Sequence, residues 1–293
     1  MFESFLFSTI RLATPYLYAS MGETLGQRSG VLNLGLEGTM LVGALAAFLT
    51  VVRTGSLGLG VLAALAAGLA MALLLILVSV VFKGEQGISG IGLYLFGLGL
   101  AGMLYRVTSG GVRTVDGFPA LDLPWLGPVL SGHNLLTYLA FALVPIMALV
   151  LDRTRFGLQV KAVGQNPQAA DALGISVART RALAVAIGGM LGGLAGASLS
   201  IANLNLFQED MIAGRGFIAV ALVYFGRWNP WGVLGGVLLF ASVNSLQLWI
   251  QVARLPIPSE LALMLPYLLT IAVMALTPRR RSEPAALGVA FER

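Results

Sequence analysis

DRTRFGLQVKAVGQNPQAADALGISVARTR, residues 152–181, is the most heavily charged interruption in a chain otherwise built of one apolar run after another. Within it, Asn166-Pro167 has the form of a helix start. An Asn side chain accepts from the free N–H groups of a first turn, and Pro at the first helical position gives up no needed donor. Gly174 has the form of the matching stop, because Gly takes the left-handed cap at little cost. Between them QAADAL makes barely two turns of Ala-rich helix, with Arg153, Arg155, Lys161, Arg179 and Arg181 around it. A short helix on a basic loop, set between apolar segments, has the shape of a docking element.

The rest of the composition says what lies on either side. Of 293 residues, 57% are hydrophobic and 11% charged, with mean hydropathy +0.88; a soluble domain carries about a quarter charged residues. The expected fold is an all-α polytopic membrane protein, one permease-like domain over 1–293. Cys is absent and His133 is the only histidine, which excludes disulfides and thiolate metal sites and leaves little for zinc or haem, so no cofactor is expected. The net charge of +5 sits in short loops beside apolar spans, where it acts as a topology signal and not as a nucleic-acid footprint. Residues 2–19 are apolar but lack the basic start of a cleavable signal.

A span needs about 20 mostly apolar residues, and backbone satisfaction in lipid demands helices where alternating patterning is missing. Nine candidates follow, within a range of about eight to ten: 4–22, 31–52, 57–82, 87–106, 134–151, 181–204, 212–227, 231–250 and 260–277. With 152–181 cytoplasmic, the inside segments hold twelve basic residues, namely Arg28, Lys83, the five already named, Arg227, Arg279, Arg280, Arg281 and Arg293. Five lie in or beside outside segments: Arg53, Arg106, Arg113, Arg215 and Arg254. That excess supports the orientation and puts the tail, 278–293, in the cytoplasm. GETLGQRSGVLNLGLEG, 22–38, mixes Glu23, Arg28, Asn33 and Glu37 with five glycines, and reads either as a loop and helix start or as a broken, re-entrant segment.

Two sets of residues are candidates for a solute path. A carboxylate in an apolar span costs about 2.5 to 3.5 kcal/mol on insertion scales and is normally held by a partner. Asn33 and Glu37, four apart, would share a helix face on a polar path; equally, Glu37 would pair with Arg28 or with backbone N–H groups at a helix break. In the eighth span Asn244, Gln247 and Gln251 recur at i, i+3 and i+7, giving a neutral polar wall; interhelical hydrogen bonding accounts for them as well. Gly188, Gly192 and Gly196, with Gly189 and Gly193 alongside, permit close helix approach, within the subunit or at an interface.

Several chemistries find no support. Gly87-Ile88-Ser89-Gly90 has the GxSG of intramembrane serine proteases, but His133 falls in an external loop, so no base meets Ser89. A nucleotide-binding P-loop needs Lys after Gly, and neither Lys83 nor Lys161 follows one. A gradient-driven carrier would show more buried charge than Glu37 and Arg11, although a self-contained carrier or channel remains the alternative from another class.

GETLGQRSGVLNLGLEGTMLVGA (22–44), VGQNPQAADALGISVARTRALAVAIGGMLGGLAGA (163–197) and GRGFIAVALVYFGRWNPWGVLGG (214–236) together resemble the permease subunits of ABC importers of the branched-chain amino acid, ribose and nucleoside group. GVLNLGLEG is similar to the nucleoside and simple-sugar branch. The resemblance implies a coupling loop contacting an ATPase over Gly164, Asn166, Pro167, Ala170, Asp171, Gly174 and Ile175. It further implies a partner ABC ATPase, a second homologous permease, an extracytoplasmic substrate-binding lipoprotein, a nucleoside-like solute and a place in the bacterial inner membrane. Asn33, Glu37, Arg215 and Phe217 fall in the shared motifs and are carried as path candidates.

Overall fold

In the computed structural model the described residues are 2–108, 114–123, 127–252, 264, 268, 271 and 283–292. The architecture is helical throughout: α1 (Phe2–Arg28), α2 (Leu36–Thr54), α3 (Leu57–Ile76, continued by a π-helical turn to Val81), α4 (Gln86–Thr108), α5 (Gly127–Leu130), α6 (Leu135–Arg153), α7 (Arg155–Gln165), α8 (Pro167–Ala172), α9 (Val177–Ala197, continued by a π-helical turn to Asn203), α10 (Arg215–Phe225) and α11 (Pro230–Val252). Two-residue strands β1 (Ala120–Leu121) and β2 (His133–Asn134) pair antiparallel and close the long loop after α4. Among the described residues six helices are long and apolar enough to cross a membrane. α3 and α4 turn Leu62, Leu73, Ile88, Leu95, Phe96 and Met103 outward, an apolar rim that suits lipid or another apolar surface and not water.

The centre is α9, and the reason is its glycines. On one face a β-carbon at Gly188 would press on the Gly22 carbonyl, one at Gly192 on Leu36 and Thr39, and one at Gly196 on Met40 and Ala44. On the other, Gly189 and Gly193 lie against Gly68, Ala64 and Ala72 of α3. Missing side chains let α1, α2 and α3 reach the α9 backbone at once, the close approach that small residues allow in membranes. The stripe is thus spent inside the subunit.

Two ends of the bundle are defined by contacts. Gly164, in the last turn of α7, lies against the Arg28 carbonyl at the end of α1; this is the α8 face. At the opposite face Phe7 stacks on His133, centroids 4.1 Å apart. α1 therefore runs from the His133 face to the α8 face, which places residue 2 on the side away from α8.

Two segments are interrupted. α2 begins only at Leu36, opposite Gly192 of α9, about 22 Å along that helix at 1.5 Å per residue. Residues 31–33 are neither helix nor strand and 34–35 a turn, so Asn33 precedes the helix and shares no face of it with Glu37; α2 begins late but remains one of the helices long and apolar enough to cross. The candidate at 212–227 is corrected. α10 has 11 residues, about 16 Å, too short to cross. Arg215 opens it within the bundle, not in an outside loop. The candidate at 260–277 lies outside the described residues apart from 264, 268 and 271, so nine crossings are not counted here.

Candidate functional site

The two interrupted segments meet at Glu37, which is 5% exposed. The Gly214 N–H donates to its Oε1 (2.7 Å) and the Gly216 N–H to its Oε2 (2.6 Å). Glu37 sits in the first turn of α2 and caps the first turn of α10, so one carboxylate lies where two helices present their positive ends. Helices that start inside a bundle leave backbone N–H groups there which need a partner, and the carboxylate supplies it. Gly214, at φ +83, and Ala213, at φ +49, make the turn that aims the donors. The fit is tight, since a β-carbon at Gly216 would lie 2.5 Å from Glu37 backbone atoms.

Of the path candidates, Glu37, Arg215 and Phe217 come together here. The Arg215 guanidinium donates through Nη1 to the Met211 and Ile212 carbonyls (2.8 and 3.0 Å), tying down its own loop. Phe217 is partly exposed and meets the Tyr94 ring edge-on at 5.3 Å. Asn33 stands one step away: its N–H donates to Glu23 (3.1 Å) and its Oδ1 accepts from the Gly35 N–H (2.9 Å). Asn244, Gln247 and Gln251 form a separate row. It starts about 21 Å from the beginning of α11 and climbs toward the His133 face, where Ser245 Oγ donates to the Phe5 carbonyl (3.2 Å). No hydrogen bond joins that row to Glu37 or Arg215, and its three amides make none with other described side chains.

A second polar cluster was not singled out from the sequence. The Trp228 indole N–H donates to Gln27 Oε1 (2.7 Å), Gln27 Nε2 donates to Glu23 Oε1 (2.9 Å), and Arg28 Nε donates to the Trp228 carbonyl (2.9 Å). It knots the end of α1 to the turn between α10 and α11, so both interruptions are anchored together. The signal for it was an acid and an amide four apart in GETLGQR, a spacing that puts Glu23 and Gln27 on one helix face.

At the α8 face the helix start and stop read from the sequence are both present. Asn166 Oδ1 accepts from the Ala169 N–H (3.0 Å) and Pro167 opens α8. Gly174, at φ +83, donates to the Asp171 carbonyl (2.9 Å), and the Ile175 N–H donates to the Ala170 carbonyl (3.0 Å), a left-handed stop of the expected kind. Asn166 and Gly174 are exposed, Asp171 and Ile175 half-buried, and Gly164, Pro167 and Ala170 buried beneath. Leu173, 82% exposed, stands at the tip, an apolar side chain left in the open. Arg181 differs from its basic neighbours. It is 2% exposed and donates to the Ser29 carbonyl through Nε (3.1 Å), so it fastens the loop from within. Ser89 Oγ donates to the Glu85 carbonyl at the face opposite His133, which leaves the GxSG motif without a base.

Residues 5–274 match the family described as branched-chain amino acid transport system, permease component. A putative glucose ABC transporter permease protein, TsgC13 of Haloferax volcanii, is 37% identical, with 98% of this chain and 96% of the relative covered. The guanosine ABC transporter permease protein NupQ of Bacillus subtilis is 34% identical over 97% and 95%. The nucleoside ABC transporter permease protein NupC of Lactococcus lactis is 34% identical over 95% and 93%. No solved structure matches the chain. With its apolar helices, interrupted segments and capped short helix, the chain belongs to this family of ABC transporter permease components and is a multi-pass membrane protein.

Proposed function

We propose that the chain is the membrane-crossing half of an ATP-driven nucleoside importer, worked by a separate ATPase that grips α8 from the cytoplasm. The observation that carries the reading is α8 itself: a six-residue helix capped at both ends by its own sequence, buried on one side and offering Leu173, Ala172 and Asn166 on the other. A helix too short to be stable alone, yet capped and presented, suits a lever between two proteins. Closure of the ATPases pushes α8, tilts α6 and α9, and changes the contacts at Glu37, Arg215 and Phe217, where the path opens to alternate sides. Such coupling works through different contacts in two states.

The guanosine and nucleoside names of two full-length relatives support the solute class, and the uncommitted amides of α11 suit an uncharged polar ligand. NupC matches along its whole length, whereas NupB of the same organism is 31% identical over 41% of this chain. Two permeases so unequally similar support a pair of different chains with this one as the NupC-like member. An extracytoplasmic binding lipoprotein would deliver the solute, and the bacterial inner membrane is the place. The glucose permease among the relatives favours a simple sugar as the second reading.

Proteoliposomes holding the chain, its companion permease, the ATPase and the binding protein should accumulate guanosine when ATP is added. The chain alone should carry nothing. Preference for glucose over guanosine would move the substrate to the second reading, and uptake by the chain alone would replace the importer with a self-contained carrier.

A further inference from the structure

The segment Glu283–Glu292 does not trail away from the bundle. The Ala286 N–H donates to the Gly164 carbonyl (2.9 Å) and, two residues on, the Gly288 N–H donates to the Gly30 carbonyl (3.2 Å). Arg181 Nη1 donates to the Val289 carbonyl (2.9 Å) while its Nε holds Ser29. Phe291 packs with Ile175 on the small cluster of Val163, Ala170 and Val177 beneath α8, roofing a cavity of about 230 Å³ that Ser176 and Lys83 also line. Pro284 and Ala286 are buried.

These contacts have a direction. Gly164 lies in the last turn of α7, just ahead of α8, and Gly30 is the residue from which the chain turns back toward the break at Leu36 and so to Glu37. Backbone hydrogen bonds from a single two-residue step connect both. Gly30, at φ +92, has no room for a side chain: a β-carbon there would stand 2.8 Å from Arg181 Nη2 and 2.9 Å from the Ala286 carbonyl oxygen. Arg181, buried with no carboxylate bonded to it among the described residues, serves the same join from the α9 side. A buried guanidinium that donates to carbonyls of two separate segments, Ser29 and Val289, ties the two together.

We propose that Glu283–Glu292 is a positioning strap, with Phe291 as its anchor, that binds the coupling helix to the interrupted segment before α2, so that displacement of α8 is delivered to Glu37. The proposal rests on the reading of α8 as the ATPase contact. The strap moves with α8 and is no gate. Direct packing of Gly164 on Arg28 makes the same join at one point; the strap adds the connection to Gly30 and resists rotation of α8 about that point.

The chain holds no cysteine, so introduced pairs report cleanly. In the assembled importer, Phe291→Ala and a chain ending at residue 282 should each lower ATP-driven uptake about tenfold, within the range of ordinary coupling between sites. The ATPase should stay bound and its basal hydrolysis continue, so that solute moved per ATP falls. Phe291→Leu should restore the ratio, which general destabilisation would not separate from Phe291→Ala. Cysteines at Gln165 and Ala286, joined by a short bifunctional thiol reagent, should leave uptake unchanged. Full uptake by the shortened chain, or loss of uptake on cross-linking, overturns the strap. Gly174→Val separates the underlying reading: if it impairs uptake while the Phe291 variants do not, only the strap falls, and if none has an effect both fall.

Discussion

The coupling loop and the junction at Glu37 are both built on helix ends, but they are assembled in opposite ways. The cap and backbone bonds that shape α8 join residues within five positions of each other, from Asn166 to Ile175. The bonds that shape the junction join Glu37 to Gly214 and Gly216, some 177 and 179 positions away. The first is a local device that the rest of the protein holds out to the surface. The second exists only when the whole bundle has closed. Damage to α8 should therefore spare the fold and silence it, whereas damage to the junction or its frame should reach the fold first.

The largest effect is expected where the frame itself is hit. A side chain at Gly196 collides with the Met40 carbonyl, and backbone has no rotamer to change. Gly196→Val should cost more than about 3 kcal/mol, the upper part of the overpacking range, and appear as loss of folded protein on detergent gel filtration. Gly235, whose β-carbon would meet open space on α11, is the control; Gly235→Ala should leave the melting temperature level or raised.

Next comes the junction. Glu37→Ala strands two buried N–H groups that now donate to a carboxylate, a loss of about 3 kcal/mol on the scale of charge-assisted bonds. Glu37→Gln keeps one acceptor and should lose less than half as much. If thermal melts follow this order while uptake by the Gln variant is preserved, the carboxylate is a fastener; a raised KM at unchanged stability would make it a solute contact.

At α8, Gly174→Val should cost about 1 to 2 kcal/mol of local strain with little change in global melting, yet abolish stimulation of ATP hydrolysis by loaded binding protein. Equal stimulation by that variant would break the contrast between the two regions.

The smallest effect involves the loop at the far face. Burial against Phe7 holds the His133 imidazole below its ordinary value. The neutral form is therefore favoured by folding, and the unfolded chain takes up the proton first. Stability is present above the ordinary value of about 6.5 and declines as pH falls through it. His133→Gln should flatten that slope in melts at pH 5 and 8.

What the sequence disclosed follows the same division. Asn166, Pro167 and Gly174 announce α8 because caps are written in adjacent residues, and the apolar runs announce the long helices because each needs only its own length. The interrupted segments were harder. Residues 212–227 are apolar enough to look like a span, and nothing local says that α10 ends after 11 residues or that α2 starts only at Leu36. Hydropathy reports what surrounds a residue and not its depth. Glu37 was noticed because a carboxylate in an apolar run must have a partner, and backbone N–H groups were among the partners weighed; that they belong to Gly214 and Gly216 is a fact of tertiary structure. The bond from Trp228 to Gln27 and the placement of 283–292 were illegible for the same reason.

The contact of α9 with its neighbours has one more result. Where main chain touches main chain on two sides, no torsion can be adjusted to let one rod slip past another, so α1, α2, α3 and α9 turn as a single solid piece. Any rearrangement that opens a route through the molecule must then happen at the margins of that piece: where α10 meets Glu37, along α11, or against a neighbouring chain.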